Sequence, residues 1–238
     1  MGFPKVLVGC PTSEHKRECL RDFSVGVKRL SYPNFDVLIL DNSLGEEYIK
    51  EIRAMGLNAE KSPYFEKASE RVIHARNILR KKVLDEGYDY LLILEQDVIP
   101  PSDVIERMVV KNEKIVSGVT FHLFESELDG KKMLQMRPLI GEWDKNAGIG
   151  LRFYDTDNVI KAFHNIYVGY CAFGCALIHR DVLSEISFRF EEQNGVVFWD
   201  DYCFCKDVFG KHKILADLSL KCKHMVLGRK EGWDRIRE

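Results

Sequence analysis

The segment that most constrains this chain is Tyr88–Pro101, which reads YDYLLILEQDVIPP. Its apolar run Leu91–Leu94 is typical of a strand that is buried on both faces of a sheet. The strand has to end at Glu95-Gln96-Asp97, because the two prolines that follow cannot continue a strand or a helix. Side chains alternate along an extended chain, so Glu95 and Asp97 are predicted to face one side and Gln96 the other.

Two carboxylates that face the same space repel each other unless a cation or a proton lies between them. Hard divalent ions bind to such carboxylates together with phosphate oxygens from a substrate. We therefore predict a metal–diphosphate site where Glu95 and Asp97 leave the sheet. A solvated acidic turn is the alternative, since acidic pairs at this spacing are common in a chain with 37 acidic residues.

Composition narrows the class of protein. The 238 residues, 45% apolar and 30% charged, are typical of one soluble α/β domain. A formal net charge of −2 argues against a nucleic-acid partner. The longest apolar stretch, Val168–Ile178, is too short to span a bilayer, which leaves peripheral membrane contact compatible with the sequence. No signal-peptide pattern opens the chain, and seven cysteines without zinc-ligand spacing favour reduced thiols and a cytoplasmic location.

Strands and helices are predicted to alternate in the first half of the chain, which favours a parallel sheet of the nucleotide-binding type. The predicted strands are Lys5–Cys10, Phe35–Leu40, Leu57–Lys61, Leu91–Leu94 and Lys114–Thr120. The helices between them are predicted from Thr12 or Ser13 to Leu30, and over Glu46–Met55, Phe65–Glu86 and Asp103–Lys111. Ligands of such sheets bind at the carboxyl ends of the strands. Pro11, Thr12, Asp41 and the Glu95–Asp97 segment are predicted to meet there.

The long predicted helix contains one charged residue where an apolar one is expected. Its apolar stripe consists of Ala68, Val72, Ala75, Leu79 and Val83. Arg76 lies at the edge of that stripe rather than on the opposite face. A guanidinium in this position must reach solvent or meet an anion. A structural ion pair and a contact with a nucleotide phosphate both satisfy this requirement.

The last third of the chain contributes two more candidate groups. In Phe198–Gly210, Asp200 is predicted to cap a helix with Asp201 in its first turn. The helix dipole favours the ionised Asp201 carboxylate, which can accept a proton, although an ordinary helix-start role is equally compatible. Along the predicted strand Leu218–Met225, His224 shares a face with buried residues. It is either a core histidine or, beside the carboxylates, a metal ligand.

These motifs together resemble the GT-A-fold glycosyltransferases, most closely family 2. The resemblance rests on a strand that ends in Pro-Thr, LDNS, Ala75-Arg76-Asn77, YDYLLILEQDVIPP, VGYCAFGCALIHRDVL, FWDDYCFCKDVFGKHKILAD and a late histidine. It covers most of the chain except 121–163, where we predict loops and a few antiparallel strands. It implies a mixed central sheet flanked by helices in a single domain, with residues 1–120 as the nucleotide-sugar-binding half and 121–238 as the acceptor-binding and catalytic half.

The resemblance also implies a reaction: inverting transfer of a sugar from a nucleotide-diphosphate sugar of the UDP or GDP type to a glycan, lipid or small-molecule hydroxyl. Asp201 is the implied base, and Mn²⁺ or Mg²⁺ is held by Glu95, Asp97 and His224. Glu95 stands where the family commonly has Asp. The implied nucleotide-binding residues are Pro11, Thr12, Asp41, Arg76 and Gln96. The implied acceptor-binding residues are Gly169, Tyr170, Trp199 and Asp200.

Two other functions remain open at the level of sequence. A nucleotidyltransferase that makes sugar nucleotides would need a glycine-rich phosphate loop after the first strand, and Gly9-Cys10-Pro11-Thr12 does not have that pattern. A non-catalytic nucleotide- or glycan-binding protein would keep the fold without turnover. A turnover assay with donor sugars separates this second alternative from an enzyme.

Overall fold

A computed structural model describes residues 2–128, 131–193 and 195–225 of the chain. The strands are Val6–Thr12 (β1), Phe35–Asp41 (β2), Ala59–Lys61 (β3), Tyr90–Leu94 (β4), Val98–Ile99 (β5), Ile115–Val119 (β6), Phe121–Leu128 (β7), Lys131–Pro138 (β8), Ile140–Trp143 (β9), Leu151–Phe153 (β10), Asn165–Val168 (β11), Tyr170–Cys171 (β12), Cys175–His179 (β13), Glu191–Gln193 (β14), Val196–Phe198 (β15), Ile214–Lys221 (β16) and Lys223–His224 (β17). The helices are Leu20–Lys28 (α1), Glu47–Ala54 (α2), Ala68–Asp85 (α3), Val104–Val109 (α4), Thr156–Lys161 (α5), Arg180–Glu185 (α6) and Asp200–Val208 (α7), with a 3₁₀ helix at Glu14–Cys19.

A mixed eight-stranded sheet with the order β11-β16-β6-β13-β4-β1-β2-β3 forms the centre of the fold. Strands β1, β2, β3, β4, β6 and β16 run in one direction, and β13 and β11 run against them. The mixed α/β architecture predicted from the sequence is therefore confirmed. The strands predicted in the first half, β1, β2, β3, β4 and β6, run parallel to one another as expected. Antiparallel β13, from the second half of the chain, lies between β4 and β6. Its residues Cys175–Ile178 are buried, as a central position requires.

Apolar side chains that alternate along the central strands build one core on each face of the sheet. Leu7 and Leu91 pack on the side that α3, α6 and α7 cover, with Leu79 of α3 among their neighbours. Val8 and Leu92 pack on the side that α1, α2 and α4 cover. The sheet and α3 approach each other so closely at Gly9 that a Cβ there would lie 2.7 Å from a methyl carbon of Leu79.

The first helix differs from its prediction. We expected one α-helix from Thr12 or Ser13, but β1 continues to Thr12, a 3₁₀ helix follows, and α1 begins only at Leu20. Ser13 makes no side-chain capping bond, and the Thr12 hydroxyl donates to Gln96 instead of capping a helix. The contact with Gln96, 84 residues away along the chain, is long-range. The local capping pattern could not reveal it.

Two later segments differ from their predictions: 121–163 is more regular than expected, and the strand Leu218–Met225 is divided in two. Within the segment 121–163, β7 and β8 form an antiparallel hairpin that pairs Phe121 with Pro138 at its base. The predicted strand Leu218–Met225 is divided, because β16 ends at Lys221 and β17 pairs with β5 instead of with β6. The register of β16 with β6 also shifts between Ala216 and Lys221. That division decides where His224 lies.

The structure also bears on membranes and thiols. Among the residues it describes, no helix is long and apolar enough to cross a lipid bilayer. All seven cysteines are buried free thiols. The compartment stays a prediction.

Candidate active site

The parallel strands bring separate parts of the chain to one edge of the sheet. Because β1, β2, β4 and β16 run in the same direction, their carboxyl ends share that edge. Thr12 ends β1, Asp41 ends β2, Glu95 follows β4, and His224 lies shortly after β16. Four segments that are distant in sequence therefore contribute polar side chains to one place, as the alternation of strands and helices predicts.

Glu95 and Asp97 face the same space in a tight turn after β4. The turn is closed by a hydrogen bond of 2.9 Å from the Val98 amide to the Glu95 carbonyl. The Lys16 Nζ atom lies 2.9 Å from Asp97 Oδ1 and 3.5 Å from Glu95 Oε2. The two carboxylates are therefore on one side, as predicted, and a lysine that the sequence analysis did not select lies between them.

Gln96 faces the other way and is fully buried. Its carbonyl oxygen accepts hydrogen bonds from the hydroxyls of Thr12 and Tyr48, the latter at 2.8 Å. Its amide nitrogen donates to the Lys16 carbonyl oxygen at 2.8 Å. In this structure Gln96 thus binds the acidic turn to β1 and to the segment that carries Lys16.

His224 reaches the acidic turn through the short pairing of β17 with β5, in which it lies opposite Val98. The Met225 amide donates to the Asp97 carbonyl at 2.6 Å, which fixes the two segments side by side. The imidazole Nε2 atom is 3.6 Å from Asp97 Oδ2, and Nδ1 is 2.9 Å from the Phe121 carbonyl oxygen. Because a carbonyl oxygen can only accept a hydrogen bond, the Nδ1 atom carries the hydrogen that is donated to Phe121. The other ring nitrogen, Nε2, is the one that faces the Asp97 carboxylate.

The Asp97–His224 pair fits a divalent metal ion. A histidine that metals bind commonly donates its other ring N–H to a backbone carbonyl, as His224 does to Phe121. The distance of 3.6 Å between Nε2 and Oδ2 exceeds that of a hydrogen bond. Lys16 lies between Glu95 and Asp97. The described part of the chain has no group of three His, Cys, Asp or Glu side chains that could hold a metal ion. A substrate's phosphate oxygens would have to complete the coordination.

Arg76 connects the acidic turn to the start of α7. It is 2% exposed, its Nη2 atom is 3.1 Å from Glu95 Oε1, and its Nε atom forms an ion pair with Asp200 Oδ2. The guanidinium also lies over the ring of Phe173, 4.7 Å from the centroid. Its Nη1 atom is buried and has no hydrogen-bond partner among the residues described. The misplaced arginine of the predicted stripe therefore meets two carboxylates.

The second acidic pair, Asp200 and Asp201, opens α7. The N-cap is Trp199 and not Asp200 as predicted, because Trp199 is the last extended residue and the Asp200 carboxylate pairs with Arg76. Asp201 Oδ2 accepts a hydrogen bond of 2.9 Å from the Tyr170 hydroxyl, and Oδ1 accepts one of 2.7 Å from the Tyr202 amide. Tyr170 is buried, so this bond holds the carboxylate in one orientation.

The surroundings move the pKa values of the two acidic pairs in opposite directions. The ammonium of Lys16 lowers the pKa of Glu95. Burial alone would raise the pKa of Asp97, but His224 and Lys16 together lower it to about 2. Burial and the neighbouring Asp200 raise the pKa of Asp201 to about 7. The first pair is therefore ionised throughout the neutral range, whereas Asp201 exchanges its proton within it.

The remaining residues that were expected to contact a nucleotide lie at the same edge. Pro11 is buried within β1, and Asp41 is fully buried at the end of β2. The Asp41 carboxylate accepts hydrogen bonds from the Ser43 amide and hydroxyl, at 2.9 and 2.6 Å, and its Oδ2 atom is 3.0 Å from Lys61 Nζ. Asp41 is thus already compensated by a lysine that the sequence analysis also missed.

The residues expected to contact an acceptor lie in or next to β12 and at the start of α7. Trp199 is 45% exposed and precedes Asp200 and Asp201 in the chain. The Tyr170 hydroxyl donates a hydrogen bond to Asp201. Gly169 lines a cavity of about 400 Å³ together with Phe209. A Cβ at Gly169 would approach Trp143 Cδ1 to 2.9 Å, so the close packing there requires glycine.

Solved structures with the same architecture identify the fold. The crystal structure of GalNAc-T7 with UDP, GalNAc and Mn²⁺ matches 98% of this chain and 45% of its own, with a TM-score of 0.65 and 12% identity. The mannosyltransferase PcManGT from Pyrobaculum calidifontis, in complex with GDP-Man and Mn²⁺, matches 100% of this chain and 61% of its own, with a TM-score of 0.60 and 14% identity. The chain has the GT-A fold.

The GT-A fold predicted from the motifs is thereby confirmed, whereas membership of family 2 stays a prediction. No protein-family model and no curated protein matches the sequence. The chain spans about half the length of these two structures, and at such low identity the likeness establishes the fold alone. The roles of individual residues have to be argued from the geometry above.

Proposed function

We propose that this chain is a metal-dependent glycosyltransferase. It would transfer a sugar from a UDP- or GDP-type nucleotide-diphosphate sugar to a hydroxyl of a glycan, lipid or small-molecule acceptor, with inversion at the anomeric carbon. The GT-A fold supports this reaction class, as do the two structural relatives, which were solved with UDP or GDP-Man and with Mn²⁺. The single observation that carries the proposal is the placement of the His224 Nε2 atom opposite the Asp97 carboxylate, 3.6 Å away.

On the donor side, Asp97 and His224 would hold Mn²⁺ or Mg²⁺, with Glu95 as a further ligand or a ribose contact. Such an ion, when bound, neutralises charge on the departing diphosphate. The Arg76 guanidinium places a positive charge beside Glu95 at this edge, which suits an anionic diphosphate. Base and ribose contacts are assigned to the edge formed by Pro11, Thr12 and Asp41, and Gln96 positions Thr12 through the hydrogen bond that it accepts.

On the acceptor side, Asp201 would accept the proton of the attacking hydroxyl. Its carboxylate is oriented by Tyr170, and a pKa of about 7 is suited to a base that works near neutral pH. Attack from the face opposite the leaving diphosphate inverts the anomeric carbon and needs no covalent intermediate. Trp199 offers an exposed aromatic face to a sugar ring. Gly169, Tyr170 and Asp200 shape the rest of the acceptor site.

Nucleotide titration tests the donor site. UDP, GDP and other nucleotides are titrated into the wild-type protein by calorimetry with and without Mn²⁺. We expect at least one nucleotide to bind in a Mn²⁺-dependent way and Asp97→Ala to abolish that dependence. Asp103→Ala, a carboxylate deletion at the start of α4 on the exposed surface, is the matched control. Mn²⁺-independent binding, or binding that survives Asp97→Ala, contradicts the assignment.

A turnover assay separates the transferase from the two alternative functions. Release of UDP or GDP from a panel of donor sugars is expected for a transferase. A nucleotidyltransferase would instead release pyrophosphate from a nucleoside triphosphate and a sugar phosphate. A protein that binds nucleotide tightly and releases neither product across the panel would be a binding protein, and the proposal would then be wrong.

A further inference from the structure

Lys16 occupies an unusual position in the donor site. It lies in the 3₁₀ helix that follows β1, and its ammonium lies between the Glu95 and Asp97 carboxylates at 3.5 and 2.9 Å. The segment is anchored by its backbone: the Glu14 amide donates to the Ser43 hydroxyl at 2.8 Å, and the Lys16 carbonyl accepts from Gln96. The position of the ammonium therefore follows from the fold at this edge of the sheet.

The two carboxylates that contact Lys16 also have other partners within the protein. Glu95 contacts Lys16 and Arg76, and Asp97 contacts Lys16 and faces His224. A divalent ion on Asp97 would stand next to this ammonium, and two cations that share one carboxylate repel each other strongly.

Resting on the proposed donor site, we propose that Lys16 is an internal cation that competes with the divalent ion for Glu95 and Asp97. In the metal-free protein the ammonium holds the two carboxylates together. Binding of the metal ion requires the ammonium to move away from these carboxylates. Lys16 thereby sets the metal affinity of the site, and it does so without acting as a metal ligand.

The two cations that contact Glu95 differ in their freedom to move. The Arg76 side chain is 3% exposed and is also bound to Asp200, so its release would leave the buried Asp200 carboxylate unpaired. The Lys16 side chain is 26% exposed at the end of a flexible four-carbon stem. The ammonium can rotate into solvent while the backbone of the 3₁₀ helix stays in place. Lys16, and not Arg76, is therefore the cation that the metal ion displaces.

The first test measures the affinity for Mn²⁺ alone, without nucleotide, by calorimetry. Lys16→Ala is expected to bind Mn²⁺ about tenfold more tightly than wild type, because one competing charge is removed. Lys16→Arg, which keeps the charge, is expected to bind as weakly as wild type. Lys61→Ala is the matched control: Lys61 is equally exposed at 25% and also neutralises a buried aspartate, but that aspartate is Asp41. Its Mn²⁺ affinity is expected to equal that of wild type.

The outcomes of this test are distinct. Equal Mn²⁺ affinity in wild type and Lys16→Ala overturns the role of Lys16 and leaves the proposed metal site standing. Weaker binding in Lys16→Ala also overturns it, because Lys16 would then assist the metal. No Mn²⁺ binding by either protein, with or without nucleotide, overturns both the metal site and the competition.

A second measurement uses only the wild-type protein, so it does not depend on whether a variant folds. Lysine amines are labelled by reductive methylation with and without saturating Mn²⁺, and each site is quantified by mass spectrometry. Lys16 is expected to react slowly without metal and several-fold faster with it, while the rate at Lys61 stays the same. An unchanged rate at Lys16 in protein that has bound Mn²⁺ overturns the proposal.

Discussion

The two acidic pairs of the site contain the same chemical groups in opposite surroundings. Glu95 and Asp97 are matched by cations on several sides, and the pKa of each is lowered. Asp201 has no cation in direct contact among the residues described, and burial beside Asp200 raises its pKa to about 7. A pair of carboxylates that stays ionised suits the binding of a cation and a diphosphate. A carboxylate whose pKa lies near neutral pH suits proton transfer. The difference comes from placement and not from residue type.

Arg76 lies between the two pairs and contacts both. It binds Glu95 through Nη2 and Asp200 through Nε. This leaves Asp201, the next residue, to interact with neutral donors: the Tyr170 hydroxyl and the Tyr202 amide. One arginine thus compensates Glu95 and Asp200 while Asp201 stays uncompensated.

The largest expected effect that tests this contrast follows from Asp201→Asn. Loss of a general base lowers the rate of sugar transfer by about 10²–10⁴-fold. Mn²⁺-dependent nucleotide binding should stay unchanged, because Asp201 belongs to the acceptor side. Steady-state kinetics and calorimetry give the two readouts. Asp207→Asn, on the same helix but paired with Arg189, is the control. Transfer at the wild-type rate in Asp201→Asn would remove Asp201 from the mechanism.

Arg76→Met is expected to have the next largest effect, and the effect is on stability. Removing one partner of a buried ion pair leaves the other charge unpaired and costs about 3–5 kcal/mol of unfolding free energy. Urea denaturation measures it. Arg80→Met lies one turn further along α3, where the arginine binds only the Leu183 carbonyl in the structure described, and should cost much less. Equal losses in the two variants would show that Arg76 does not hold the two acidic pairs together.

The pH dependence of activity and of stability also distinguishes Asp201 from the first acidic pair. Asp201 must be ionised to act as a base, so kcat/KM should rise as pH increases through about 7 and then level off. Stability should change in the opposite direction. Between the unfolded pKa of about 3.9 and the folded value, the folded protein keeps a proton that the unfolded chain has lost. The free energy of unfolding therefore falls as pH rises across that window. If Asp201→Asn keeps the same slope, another group is responsible.

The smallest expected effect comes from Tyr170→Phe, which removes one hydrogen bond to Asp201. The phenol donates to the carboxylate and so favours its ionised form. Without it the midpoint of the pH–rate profile should move to higher pH by about one unit or less. Tyr154→Phe removes a comparable bond, to Glu142, and should leave the midpoint in place. An unmoved midpoint in Tyr170→Phe would mean that Asp201 is oriented by other contacts.

Much of this arrangement could be predicted where the relevant signal is local. The strand before Glu95 is a short apolar run followed by prolines, and alternation alone placed Glu95 and Asp97 on one side and Gln96 on the other. The end of each parallel strand is likewise a local feature, and the edge where these ends meet follows from the direction of the strands. The misfit of Arg76 in its apolar stripe also indicated a guanidinium that must reach solvent or meet an anion, and the structure shows the second outcome.

The partners of these residues could not be predicted, because the contacts that decide them are distant in sequence. Asp200 meets Arg76 only because α3 and α7 cover the same face of the sheet. Lys16 falls within the helix predicted from Thr12 or Ser13 to Leu30, and only the 3₁₀ turn after Thr12 places it over the acidic pair. The insertion of β13 between β4 and β6 depends on a strand that lies far along the chain. A basic residue soon after the first strand end is the one local signal that Lys16 offered.

The most direct test of the central claim is a crystal structure with Mn²⁺ and UDP or GDP, with the manganese located by its anomalous scattering. The account predicts one manganese within about 2.0–2.3 Å of both an Asp97 carboxylate oxygen and His224 Nε2, with phosphate oxygens among its other ligands. A manganese bound near the nucleotide but to neither residue would contradict it, as would nucleotide bound with His224 and Asp97 still facing each other without metal.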